Sequence, residues 1–375
     1  MSEPLRALAR VDGGAVERNC RRLAGSLSGG AELCAVVKAD GYGHGAVESA
    51  RAALAGGATM LAVAAASEAA ELRAAFADSP ILTMGALSAP ELATALRAGS
   101  AIVAWRRGFL EAAGAAAAKL DVRPEVHVKY DSGMGRLGER DQDQVLALLD
   151  AAAADERVEL AGLWTHFATA DELTGPGGDF FDAQLERFAS LVARALNSHP
   201  ELRVHAANSA ATLRDSASHF DFVRCGVAIY GLDPFQSDPY EQDLEPALEL
   251  RSYVADVKRF EAGASAGYGR TWSAADDTLV GVLPIGYGDG VRRGLGNHAD
   301  VLVAGRRLPL VGTVSMDNVT IDLGAGSDVA PGTEATLIGE QGGERILCEE
   351  VARRLGTINY EVTCGISSRV PREYL

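Results

Sequence analysis

Eight short apolar runs, separated by segments of good helix formers, set the strongest limit on how this chain can fold. They are "LCAVVK" (33–38), "MLAVAA" (60–65), "ILTMG" (81–85), "AIVAW" (101–105), "EVHVKY" (125–130), "ELAGLWTH" (159–166), "RVHAANS" (203–209) and "FVRCGVAIYG" (222–231). A continuous run such as "ELCAVV" reads as a strand covered on both faces, because a strand with one wet face would alternate. Segments such as "SEAAELRAAF" and "DQDQVLALLDAAAADE" lie between them, helix formers with acidic starts. Strands alternating with helices eight times give the count of a (β/α)8 TIM-like barrel, an α/β fold. An open doubly wound sheet is the other arrangement of this pattern, but no GxGxxG turn follows any early strand.

The texture changes after the acidic, proline-bearing connection "YGLDPFQSDPYEQDLEP". From there "LRSYVADVKRF", "TLVGVLPIGYG", "ADVLVAGRRLPLVGTVSMDNVTIDL" and "TEATLIGEQ" alternate apolar and polar residues between Gly, Asn and Asp, with little helical period. The barrel is therefore expected over 1–244 and a mainly β C-terminal domain over 245–375, which suits a chain of 375 residues. The strand-like "LRALARVD" ahead of the first helix fits either domain, so residues 1–11 are left open between them.

A formal charge of −16 argues against a nucleic-acid partner and an anionic membrane surface, since the summed field repels both. Five scattered cysteines without a CxxC pair suggest a reduced, cytoplasmic protein with neither a disulfide framework nor a metal site. The opening "MSEPLRALARVD" has no apolar core of a signal peptide, and no apolar run reaches membrane-spanning length.

In a barrel the active site is built where the strands end. Strand one ends at Lys38, in "AVVKADGYGHGA", where Gly41, Gly43 and Gly45 permit a tight turn and Tyr42 lies just beyond. Lys38 reads either as a strand cap with its ammonium in water or as a desolvated amine able to form a Schiff base. Strand five ends at Lys129 and feeds "DSGMGRLG", whose glycines flank Arg136. Strand six ends at His166, strand seven at Asn208 and Ser209, and strand eight carries Arg224 and then Gly226. Singly, each has a structural reading: His166 a core histidine, Arg224 an ion pair, Ser209 a helix cap. Gathered at one barrel end they suggest a phosphorylated aldehyde cofactor. Asn208, Ser209 and Gly226 lie where barrel phosphate sites occur, and Lys38 would take the aldehyde, as pyridoxal 5′-phosphate requires.

The segments "AVVKADGYGHG", "DSGMGRLG", "WTHFA", "NSAATL", "VRCGVAIYG", "AGYGRTW", "IGYGDG", "SMDNVTID" and "NYEVTCGI" resemble, in order, those of bacterial alanine racemases, from about residue 5 to the end. That resemblance implies an isomerase that interconverts L- and D-alanine with pyridoxal 5′-phosphate and supplies D-alanine for peptidoglycan. It implies that Lys38 carries the cofactor and that Tyr42, Ser209, Gly226 and Tyr360 hold its phosphate, Val227 adding an N–H. His166 would pack beside the ring and support Arg224, which would face the ring nitrogen. The two bases would be Lys38 and Tyr268 of a partner subunit, so a homodimer would be needed. Arg136 and Met316 would meet the substrate carboxylate. Lys129, carbamylated in some relatives, would orient Arg136; Asp317 sits beside Met316, and the partner's Tyr287 would shape the entrance. Two residues depart from the family's pattern: Ser315 stands where cysteine is common, and Gly288 where alanine is, with added flexibility expected at the entrance. The alternatives are a racemase of broader specificity, a decarboxylase of the same architecture, and a non-catalytic pyridoxal phosphate carrier, which would lack the β domain and Tyr268.

Overall fold

The computed structural model describes residues 5–375. After β1 (Leu8–Val11), the apolar runs form β2 (Glu32–Val36), β3 (Met60–Val63), β4 (Ile81–Thr83), β5 (Ala101–Ala104), β6 (Glu125–Lys129), β7 (Glu159–Trp164), β8 (Arg203–His205) and β9 (Phe222–Cys225). These eight strands are all parallel, in the order β8-β7-β6-β5-β4-β3-β2-β9. Main-chain bonds from Asp221 N to Val204 O (3.0 Å) and from Arg224 N to Ala207 O (2.9 Å) link the two ends into a nearly closed barrel. Most of the strands stop before the apolar run does, which leaves the polar residues of several runs on the loops that follow.

Helices pack outside the strands by ordinary amphipathic spacing. Helix Gln142–Ala153 buries Val145, Leu148, Leu149 and Ala152, one stripe at i, i+3, i+4 and i+7. Asp141 caps it by accepting bonds from Asp143 N and Gln144 N. Inside the barrel the period is two, so His127 and Lys129, Arg203 and His205, and Phe222 and Arg224 each share a face. Gly162 belongs to the same interior layer: a Cβ there would lie 2.3 Å from His127 Nδ1, so the imidazole fills the space a side chain would need.

The chain divides into two compact units. Val16–Tyr42 with Ala46–Ile229 forms the barrel, and residues 5–15, Gly43–Gly45 and Tyr230–Leu375 form the other. The second unit adds β10 (Leu248–Tyr253), β11 (Asp256–Phe260), β12 (Ser265–Ala266), β13 (Trp272–Ser273), β14 (Thr278–Leu283), β15 (Asp300–Val303), β16 (Arg306–Val311), β17 (Val319–Asp322), β18 (Glu334–Gln341), β19 (Glu344–Ile346) and β20 (Arg372–Tyr374). Its main sheet runs β11-β14-β17-β16-β15-β18-β10-β1-β20, with β19 on β18 and β12 paired to β13. Strand β1, formed by the "LRALARVD" segment, pairs antiparallel with β10 and parallel with β20, so that segment belongs to the β unit; residues 1–4 lie outside the described residues. Two helices, Cys348–Leu355 and Asn359–Cys364, were not evident in the alternating pattern; the first stops at Gly356, whose φ of 67° suits glycine. Among the described residues no helix is long and apolar enough to cross a membrane.

Candidate active site

Two residues beyond β2, Lys38 opens a turn that most sequences could not adopt. Ala39, Asp40, Gly41 and Tyr42 all have left-handed backbones, with φ of 52°, 53°, 60° and 54°. Each non-glycine residue held there costs about 1–2 kcal/mol, so the turn needs outside support. Ala39 N donates to Glu68 Oε1 at 2.6 Å, while Glu68 Oε2 accepts from Ala64 N and Ala65 N at 2.9 Å each. Asp40 Oδ1 accepts from Ala46 N at 3.0 Å and closes the far end. The expected turn is present, but it is built mostly from residues other than glycine. Lys38 is half-buried at the barrel mouth, its Nζ 5.9 Å from the Tyr42 ring centroid. Sequence reasoning missed Glu68, whose only sign was an acidic residue in the first turn of helix Ala66–Ala75.

Arg224 rises from β9 into the barrel and is buried. Its Nη2 donates to Thr165 O (3.0 Å) and Ala206 O (2.9 Å), and lies 3.3 Å from His166 Nδ1; its Nη1 lies 2.8 Å from His205 Nδ1. Burial pulls its pKa down to about 10, which still leaves a cation at neutral pH. It is paired with carbonyls and imidazoles rather than with a carboxylate, contrary to the simple ion-pair reading. Burial, with Arg224 and then Arg136 beside it, holds the His166 imidazole well below its ordinary range, so it is neutral.

The loops after β8 and β9 meet the Lys38 turn at a second point. A Cβ on Gly226 would lie 2.4 Å from Tyr42 Oη, so the missing side chain makes the space that the phenol occupies. Ser209 Oγ, buried, accepts from Gly226 N at 3.0 Å and Ala228 N at 3.3 Å. Asn208, not Ser209, caps helix Ser209–Arg214, through Oδ1 and Ala211 N. Val227 is buried at the start of a short 3-10 turn, Val227–Tyr230. The Tyr42 and Ser209 hydroxyls thus meet beside the side-chain-free Gly226, two O–H donors that fit a phosphate group.

Lys129 ends β6 with its Nζ 4.1 Å from the centroid of the Trp164 ring. Burial, helped by Arg136 and Arg224, pulls its pKa down to about 7. Arg136 lies exposed in the loop that follows, where Asp131 accepts from Gly133 N and Gly135 N and so sets the turn that carries it.

In the β unit, three residues named from the sequence stand out by exposure. Tyr268 is 73% exposed, on a short turn between β12 and β13, and its carbonyl accepts from Thr313 Oγ1 at 2.8 Å. That exposure removes the reading of Tyr268 as a half-buried strand aromatic. Tyr287 and Met316 are also exposed, on neighbouring loops joined by Tyr287 N to Ser315 O (3.0 Å) and Gly288 N to Met316 O (2.9 Å). Gly288 has no left-handed φ; an added Cβ would meet Met316 O at 3.1 Å and Arg369 Nη1 at 3.2 Å, so the missing side chain makes room for both. Tyr360 is half-buried at the second position of helix Asn359–Cys364.

Asp289, fully buried, fixes these loops. It accepts from Arg6 (2.6 and 3.0 Å), Arg369 Nε (2.9 Å) and Gly286 N (2.9 Å), and Arg369 continues to Asp317 at 2.6 Å. Burial alone would raise its pKa, but the bonds from Arg6 and Arg369 outweigh it and hold the carboxyl below its ordinary value. A lowered pKa means that the carboxylate stabilises the fold above the unfolded-chain value, about pH 4, and that this contribution is lost as pH falls through the folded value. We expect Asp289→Asn to lower stability at pH 7 by about 2–3 kcal/mol and to flatten the acid limb of stability against pH. Urea titrations at pH 7 and pH 3 check this, and an unchanged acid limb would refute it.

Comparison with known proteins agrees in sequence and in fold. The family profile for the alanine racemase N-terminal domain matches residues 11–234, and that for the C-terminal domain matches residues 247–374. The alanine racemase of Symbiobacterium thermophilum is 41% identical over 98% of this chain and 96% of its own, and that of Geobacillus stearothermophilus 42% identical over 97% and 92%. Among solved structures, the alanine racemase of D-cycloserine-producing Streptomyces lavendulae superposes with a TM-score of 0.93 at 35% identity, covering 100% of this chain and 98% of that one. The Bacillus anthracis enzyme with bound L-Ala-P gives a TM-score of 0.91 at 36% identity over 100% and 96%. Likeness of this extent spans the barrel and the β unit alike, and the chain therefore belongs to the alanine racemase family, isomerases that interconvert L- and D-alanine.

Proposed function

We propose that the barrel mouth holds pyridoxal 5′-phosphate and that alanine is racemised there by two bases, Lys38 and the Tyr268 of a second copy of this chain. The observation that carries this reading is the strained turn at Lys38, fixed at a strand end beside a phosphate-type donor set and a buried arginine. Tyr42, Ser209, Gly226, Val227 and Tyr360 are the groups assigned to the phosphate, with Asn208 capping the helix that presents Ser209. Bound there, the cofactor would supply an aldehyde for amines and a conjugated ring that delocalises charge from the substrate α-carbon.

The chain's own groups do the rest. Arg224 offers only N–H donors and accepts no proton, so it leaves a ring nitrogen facing it unprotonated and limits charge build-up at the α-carbon. That favours simple return of a proton over transamination. Arg136 binds the substrate carboxylate by its planar fork, with the Met316 N–H beside it; as an ammonium Lys129 repels that guanidinium, so it orients Arg136 only once carbamylated, when its added oxygens can accept. Lys38 Nζ and Tyr268 Oη move the α-proton on opposite faces, because one base alone would tend to return the proton to the face it left. A tyrosine as exposed as Tyr268 is on its own unit suits a group that completes a neighbour's site, which supports a homodimer with shared sites. The partner's Tyr287 shapes the entrance, and Asp317, beside Met316, holds Arg369. The composition supports a cytoplasmic enzyme, and D-alanine for peptidoglycan is its product's use in the family.

Polarimetry tests the reading. With added pyridoxal phosphate, purified protein should take L-alanine to zero rotation while L-serine and L-lysine change far more slowly. Stable rotation of L-alanine with carbon dioxide evolved from L-lysine would instead make it a decarboxylase.

A further inference from the structure

Within the barrel, the axis-facing side chains of β6 to β9 form a stacked column. The His205 ring lies between Phe222, at 4.1 Å and 21°, and Trp164, at 5.4 Å and 4°. Beyond Phe222 sits the Arg203 guanidinium, 4.8 Å from the ring centroid; Lys129 and Arg224 lie 4.1 and 4.7 Å from that of Trp164. Stacking between these rings fixes the plane of His205. Its two nitrogens are both engaged, Nδ1 with Arg224 Nη1 at 2.8 Å and Nε2 with His127 Nδ1 at 3.0 Å.

The direction of this chain follows from Arg224. A guanidinium has donors and no lone pair to offer, so His205 Nδ1 must accept. The His205 proton is then on Nε2 and is donated to His127 Nδ1. His127 in turn carries its own proton on Nε2, a buried atom with no partner. The reverse arrangement would pair that atom no better and would set an imidazole N–H against the guanidinium at 2.8 Å. The unsatisfied group is thereby kept at the inner end of the chain, and a lone pair is delivered at Arg224. Burial and the nearby Arg203 and Arg224 pull His127 down to about 3, and burial with Arg224, His127, Arg203 and Lys129 around it holds His205 well below its ordinary range.

We infer that His205 is a positioning residue for Arg224, and that His127 fixes it in the Nε2–H tautomer that leaves a lone pair for the guanidinium. With Nη1 held by His205 and Nη2 by the Thr165 and Ala206 carbonyls, the guanidinium plane is set. This rests on the reading that Arg224 faces the cofactor ring.

The first test needs no turnover. In holoenzyme labelled with 15N-histidine, long-range 15N–1H spectra at pH 7 should show His127 and His205 with unprotonated Nδ1 and protonated Nε2. An Nδ1–H tautomer or an imidazolium at either residue overturns the inference. The second compares His205→Phe, which keeps a stacking ring without an acceptor, with His205→Asn, whose amide oxygen can take the place of Nδ1. His205→Phe should lower kcat about tenfold to a hundredfold with little change in KM and should shift the visible absorbance of the bound cofactor; His205→Asn should recover most of both. Equal loss in the two variants would reduce His205 to packing and overturn the positioning role. Should wild-type protein itself fail to racemise alanine, the reading of Arg224 falls, whereas the tautomers stand or fall on the spectra alone.

Discussion

Lys38→Ala should give a folded protein that neither racemises alanine nor keeps visible absorbance after incubation with pyridoxal phosphate and dialysis. The fold should survive because the bonds that hold the turn, Ala39 N on Glu68 and Ala46 N on Asp40, are left in place by the substitution. Activity should fall by at least about a thousandfold, since the amine is at once the cofactor's attachment and one of the two bases. The rival is Lys129, at the end of β6 on the opposite side of the barrel from β2, with a pKa of about 7 and so partly unprotonated at neutral pH. Borohydride reduction followed by peptide mapping separates them. Label on the peptide that contains Lys38 is expected; label on Lys129, or an unchanged spectrum in Lys38→Ala, would move the attachment point and with it the assignment of the bases.

Tyr268→Phe should act on one face of the substrate. Loss of the phenolic hydroxyl should slow α-proton removal from L-alanine by about 10²–10⁴-fold, the usual range for a positioned acid or base. Removal from D-alanine, assigned to Lys38, should change far less. Single-turnover exchange of the α-hydrogen for deuterium, measured from each enantiomer, reads the two faces separately. Equal losses from both would end this division of labour. The phenol is 73% exposed in its own unit, so the substitution should leave thermal stability nearly unchanged, and a defect can be read as chemical.

The barrel was legible in the sequence because most of its strands are covered on both faces and so show as largely apolar runs. Residues at the ends of those runs could be nominated by position alone. The left-handed turn could not, because Ala39, Asp40 and Tyr42 have no local preference for it and the glutamate that holds it lies 29 residues from Ala39. His127 and His205 escaped notice for a related reason: they sit inside strands, where a single polar residue looks like a satisfied core group. Their spacing was the available sign, since His127 and Lys129 share a face of β6, as Arg203 and His205 do on β8. The place of β1 depends on pairing with strands more than 200 residues away, as with Leu8 opposite Arg251, and local pattern carries no such information. The helices Cys348–Leu355 and Asn359–Cys364 span only eight and six residues, too short to establish a period against the strands around them.

The left-handed turn at Lys38 also dictates an order of assembly. A nascent chain that has made β2 and the turn sequence, but not β3 and Glu68, has only the local Asp40–Ala46 bond to set against the cost of the left-handed backbone, and the lysine samples other conformations. Only when β3 docks on β2 and helix Ala66–Ala75 brings its first turn into place does that backbone become the favoured one. The nucleophile is therefore set late, by a contact distant in sequence, and it is exposed to any local opening of that helix. Loss of the reactive geometry should thus precede loss of the barrel on mild denaturation, so that the enzyme goes silent while its strands are still in register.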